Sequence, residues 1–191
     1  MGRPVDQLLD LAIMLRPDAD ATERELVARL AGRLGYFAVH VPLAPGTNLD
    51  PEEIERLMDA AAPAMVVVDD GAENPGIVRR NDPELVRKAR AELDQLEDQR
   101  PLIVAVPISI GRTYNEAVAR ADRDPRFVGE AHPRESGIFG TFEQAQEQVL
   151  ALAHAGAEVL LVTVPHELDV ADVLAQVKAL VVGATPALYN P

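Results

Sequence analysis

The sequence predicts an α/β protein built on a parallel sheet, and three observations carry that prediction. Short apolar runs alternate along the chain with longer stretches whose apolar residues fall three and four apart. Most of those runs are apolar on consecutive positions, as strands covered on both faces require. The chain has 191 residues, 48% of them hydrophobic and 26% charged, which is the composition of a globular protein with one sizeable core. A single β/α domain over residues 1–191 is therefore expected.

The strand runs are residues 11–15, 36–41, 64–68, 102–110 and 158–164, with a sixth, very short one at about 137–139. Six helical stretches stand between and after them. The first runs over residues 20–34 and is followed by Gly35, where glycine supplies a left-handed cap. The second opens on Asp50-Pro51-Glu52-Glu53, an N-cap aspartate followed by proline at the first helical position, and Asp82-Pro83 repeats the arrangement for the third. Thr113 with Glu116, and Thr141 with Gln144, fit the capping box, in which hydroxyl and carboxylate or amide satisfy orphan backbone donors reciprocally. The last stretch puts Val170, Val173, Leu174, Val177, Leu180 and Val181 on one stripe, so it must lie against something. Residues 122–139 are the exception: rich in proline, glycine and charge, without periodicity, and longer than an ordinary βα connection.

Charge and composition exclude several classes. The net charge of −13 repels phosphate backbones and anionic lipid, so neither nucleic acid nor a membrane is an expected partner. There is no cysteine, which removes disulfides and thiolate metal sites, and no two of His40, His132, His154 and His166 share a metal-ligand spacing; no metal is expected. With no long apolar segment and no basic, apolar start, a cytoplasmic location is expected.

Three stretches then resemble a known family. They are Val106-Pro107-Ile108-Ser109-Ile110-Gly111-Arg112-Thr113-Tyr114-Asn115-Glu116-Ala117, Gly140-Thr141-Phe142-Glu143-Gln144-Ala145, and Leu152-Ala153-His154-Ala155-Gly156-Ala157-Glu158-Val159-Leu160-Leu161. Together they resemble the C-terminal part of the bacterial luciferase-like family, and the segment over residues 11–42 resembles its first βαβ unit. The resemblance implies a flavin- or F420-dependent oxidoreductase, monooxygenase-like in some members, on a (β/α)₈ barrel with FMN or F420 as cofactor. Such barrels typically need about 250 residues. This chain is shorter, and residues 50–100 stand where the family has several central strands. The expected architecture is therefore an incomplete or modified TIM-barrel-like fold, with about five to six parallel strands alternating with six helices. Its open edges would be covered most simply by a second copy, in a homodimer.

Two loops are candidates for holding a cofactor. Gly111-Arg112-Thr113 lies where a strand gives way to a helix, so free N–H groups, the helix dipole and a guanidinium can converge on a phosphate. Gly140-Thr141, with Arg134 nearby in sequence, opens the next helix, and the resemblance implies that this region borders the cofactor's phosphate end. Both also read as ordinary capped helix starts. For acid or base work the candidates are Asp69 and Asp70, at the C-terminal edge of a strand, and His166, just past the last strand. A plain Asp-Gly turn explains the two aspartates equally. Without the middle of the barrel, a remodelled relative that binds or assembles instead of catalysing is the alternative reading.

Overall fold

The computed structural model describes residues 9–43, 49–69, 76–124, 127, 136–163 and 169–182. The chain opens with β1 (Asp10–Met14), α1 (Ala21–Arg33), β2 (Ala38–Pro42), α2 (Pro51–Ala61) and β3 (Met65–Asp69). It continues through β4 (Ile77–Val78), α3 (Pro83–Gln95), β5 (Ile103–Val106), β6 (Ile108–Ile110) and α4 (Tyr114–Ala121). It closes with β7 (Ile138–Gly140), α5 (Phe142–His154), β8 (Val159–Thr163) and α6 (Val170–Val182).

Five helices start where the sequence places a cap. Asp20, Asp50, Asp82, Thr113 and Thr141 are the N-caps, each accepting from a backbone N–H of the first turn. The two cap motifs differ in one detail. At α5 the box is complete, with Thr141 Oγ1 accepting from Gln144 N and Gln144 Oε1 accepting from Thr141 N. At α4 the Glu116 carboxylate reaches one residue further back and takes the N–H of Arg112 instead.

Six strands form one parallel sheet in the order β3-β2-β1-β8-β5-β4, with the α-helices interleaved in sequence. Among the described residues the sheet does not close: β3 and β4 are its two ends and do not pair with each other. This is the open, barrel-like α/β architecture that the sequence predicts, with two refinements. The run 102–110 is two strands, because Pro107 lacks the N–H that would continue the ladder and the chain turns off there. Beyond it, β6 leaves the main sheet and pairs in parallel with β7, Ile108 opposite Ile138 and Ile110 opposite Gly140. The second refinement is β4, a two-residue strand aligned with β5, too short for periodicity to reveal.

The helix-covered face of the sheet holds the main core. Leu11, Ile13, Val39, Val41, Val104 and Leu160 are fully buried there, against α1, α2, α5 and α6 residues such as Val27, Leu57, Leu152 and Val177. Gly32 of α1 permits the close approach of α2, since a Cβ on it would stand 2.3 Å from the Ala61 carbonyl oxygen. The Arg24–Glu53 ion pair at 2.9 Å ties the same two helices. The buried Tyr36 hydroxyl donates to the Leu174 carbonyl at 2.9 Å, tying α6 to the turn before β2, and burial pushes its phenol pKa up. The opposite, concave face carries a much smaller cluster of Ala12, Ala38, Val159 and Leu161. Among the described residues, no helix is long and apolar enough to cross a membrane.

Candidate functional site at the C-terminal edge of the sheet

Parallel pairing sends the C-terminal ends of all the strands to one edge, where α/β proteins bind ligands. Register fixes what stands there. Thr163 of β8, Met14 of β1, His40 of β2 and Val67 of β3 form one row across the concave face. His40 is 6% exposed and, with Ser109, makes up the buried polar residues among those described. Pro42 of β2 and Asp69 of β3 are paired one step further toward the rim.

The loops after β6 and β7 meet at the same edge. Gly111 N donates to the Gly140 carbonyl at 3.0 Å, so the two helix starts singled out in the sequence lie side by side. Two features make this local arrangement possible. Gly137 lets β7 begin against the bend at Pro107; Ile138 N donates to the Pro107 carbonyl at 3.0 Å, and a Cβ on Gly137 would collide with the Phe127 ring and that carbonyl. Gly140 has φ +136°, a conformation that L side chains rarely adopt, and this turns the chain into the α5 capping box. Asn81 then ties the pair to the start of α3: its Nδ2 donates to the Gly137 carbonyl at 3.1 Å and to Gln148 Oε1 at 2.7 Å.

Charge at the edge is arranged asymmetrically. The Arg112 side chain is exposed and makes no ion pair or hydrogen bond among the described residues, while its backbone N–H is held by Glu116 at 3.0 Å. Arg120 Nη2 in turn holds that carboxylate at 3.1 Å, and Arg120 also donates to the Ile110 carbonyl. The start of α4 thus already carries an anion of its own, Glu116, at the positive end of its dipole. At α5 the corresponding partner is the neutral Gln144, and the Glu143 carboxyl sits below its usual range because its own backbone N–H and the Thr141 hydroxyl donate to it. Tyr114 and Phe139, with ring centroids 5.7 Å apart, form an aromatic ledge beside both turns.

The structure therefore brings Gly111, Arg112, Thr113, Gly140 and Thr141 together at the ends of β6 and β7, and places the backbone of Asp69 at the C-terminal end of β3, with β2 and β1 between it and β8. Asp70, Arg134 and His166 lie outside the described residues, as do His132 and most of the loop 122–139. Among the described residues of that loop, Phe127 is fully buried against Ala121, Val118 and Phe139. Sequence reasoning gave His40 no role. Its placement on a strand with period-two alternation, sharing the concave face with Ala38, was the available signal. No group of three or more potential metal ligands occurs among the described residues.

This geometry defines the class: an open, parallel β/α barrel-like protein with a ligand-type edge. No family model and no curated protein matches the sequence. Among solved structures, the coenzyme F420-dependent tetrahydromethanopterin reductase from Methanopyrus kandleri is similar over 92% of this chain and 99% of its own, at 10% identity and a TM-score of 0.63. The (S)-3-O-geranylgeranylglyceryl phosphate synthase from Thermoplasma acidophilum, in complex with sn-glycerol-1-phosphate, aligns over 92% of this chain and 94% of its own, at 11% identity and a TM-score of 0.43. At such identities the first likeness is one of fold.

Proposed function

We propose that this chain is a luciferase-like oxidoreductase homologue that binds F420, or failing that FMN, at the C-terminal edge of its sheet. The observation that carries the reading is the fold shared with an F420-dependent reductase. The sequence resemblance over the β5-to-β8 segment points to the same cofactor class independently.

The residues present suit such a group. Arg112 offers a guanidinium with no partner among the described residues, Gly111 and Gly140 allow close backbone approach, and Thr113 and Thr141 bring hydroxyls to two adjacent helix starts. Arg134 would add a second guanidinium. The bound deazaflavin or flavin would supply hydride chemistry, and the protein would supply position and electrostatics. Asp69, Asp70 and His166 are the proposed acid/base groups by their place in sequence at the strand ends. Glu116 competes with an incoming phosphate for the Arg112 N–H and must swing away for full engagement.

The test is a titration with F420 and with FMN followed by fluorescence. Saturable binding is expected, weakened in Arg112→Ala by about 1.5–3 kcal/mol, the worth of a charged hydrogen bond. Glu116→Gln is expected to tighten it. Absence of binding by either compound refutes the reading. The open sheet supports a second reading in that event, a remodelled relative acting as a binding or assembly subunit.

A further inference from the structure

The two ends of the sheet are opposite in charge. At one end, β3 is flanked by α2, whose Glu53 and Arg56 pair with Arg24 and Glu25 of α1. Away from those pairs α2 exposes Glu52, Glu55 and Asp59, which fall on one side of the helix and whose carboxylates have no partner among the described residues. Met58 beside them is 55% exposed.

At the other end, β4 and α3 enclose a cleft of about 390 Å³. Arg79, Arg80 and Lys88 line it, against a single carboxylate, Glu92, which stands 4.0 Å from Lys88. Neither Arg79 nor Arg80 has a hydrogen bond or ion pair among the described residues. Its apolar wall is Leu85, 39% exposed, and Ala89, one helical turn on. The cleft lies at the terminal strand of the sheet, beside which the next β/α unit of a complete barrel would pack.

In a chain of net charge −13, most approaches of one copy to another are repulsive, and a cation-lined cleft selects the orientation that is not. We propose that two copies of this chain associate through these ends, the α2 face of each seated in the β4–α3 cleft of the other. Glu55 and Asp59 meet Arg79 and Arg80, and Met58 meets Leu85. Two such contacts form together, so the pair is closed and neither end is left over. The inference is independent of any cofactor.

The test is the oligomeric state of the full chain by sedimentation equilibrium, with circular dichroism confirming that each variant is folded. The wild-type chain is expected to be a dimer at low salt whose dissociation constant rises about tenfold or more at high salt. Arg79→Glu with Arg80→Glu, and separately Glu55→Lys with Asp59→Lys, should each be monomeric. An equimolar mixture of the two variants should restore the dimer, because every reversed charge then meets its complement. A monomeric wild-type chain overturns the proposal, including one whose cleft instead binds inorganic phosphate. So does a dimer that survives either charge reversal, or a mixture that stays monomeric.

Discussion

Leu160 and Leu161 are neighbours on β8, both essentially inaccessible to water, yet they point to opposite faces of the sheet. Leu160 enters the large core beneath the helices, and Leu161 joins the four-residue cluster on the concave side. The covered face is filled with branched aliphatics from every strand and five helices. The concave face holds a smaller cluster, with Ala12, Ala38, Val159 and Leu161 buried and Met14, Val67, Ile103 and Ala105 partly buried against them, and toward the rim a buried histidine and a threonine. Stability is concentrated on one face, which leaves the other free to present polar groups at its C-terminal rim.

The largest effect that this difference predicts is on core truncation. Leu160→Ala should cost about 2–5 kcal/mol, because its surroundings are packed on all sides and cannot collapse into the cavity. Leu161→Ala should cost about 1 kcal/mol less, since the small cluster can relax. Equal losses in urea denaturation would break the contrast. Gly32→Ala sharpens it from the other direction: a methyl group driven against the Ala61 carbonyl should separate α1 from α2 at a cost of about 1–3 kcal/mol. Thr141→Ala removes the α5 cap at the site and should cost about 1 kcal/mol with the main core untouched, measured the same way.

The smallest effect is on acid stability. Asp98 and Glu143 sit below their ordinary pKa values, Asp98 because the Arg100 N–H and then its side chain donate to it. A carboxyl depressed in the folded state stabilises the fold above the unfolded value, about 4, and the contribution fades as pH falls through the folded value. Asp98→Asn with Glu143→Gln should therefore make the loss of stability below about pH 5 slightly shallower. A steeper acid limb would contradict the assignment.

Much of this was legible because it is encoded locally. Each of the five helix starts is written in one or two residues: the cap signatures at Asp50, Asp82, Thr113 and Thr141 are local, and Asp20, where the first helical stretch begins in the sequence, is the fifth N-cap. The parallel sheet followed from continuous apolar runs, and the shortage of strands from length. Pairing partners were not legible, because which strand lies beside β8 depends on distant packing: β5 takes that place while β7 stays with β6. At the site, the sequence offers the two helix starts as candidate cofactor loops, and the Gly111–Gly140 bond places them together. That Glu116 would cap Arg112 instead of Thr113 could not be told, since both geometries satisfy the same sequence pattern.

Among the described residues the outer edges of β3 and β4 find no strand to pair with, and native-state hydrogen exchange reads this directly. Met65 N donates to the Phe37 carbonyl, so by parallel alternation Val66 and Val68 turn their N–H groups to the outer edge of β3, while Val39 lies inside the sheet. Measured on the Arg79→Glu, Arg80→Glu chain, in which a second copy is not expected to cover the edge, Val66 and Val68 should exchange far faster than Val39. Protection of Val66 and Val68 equal to that of Val39 would mean that the ring is closed, and would contradict the account.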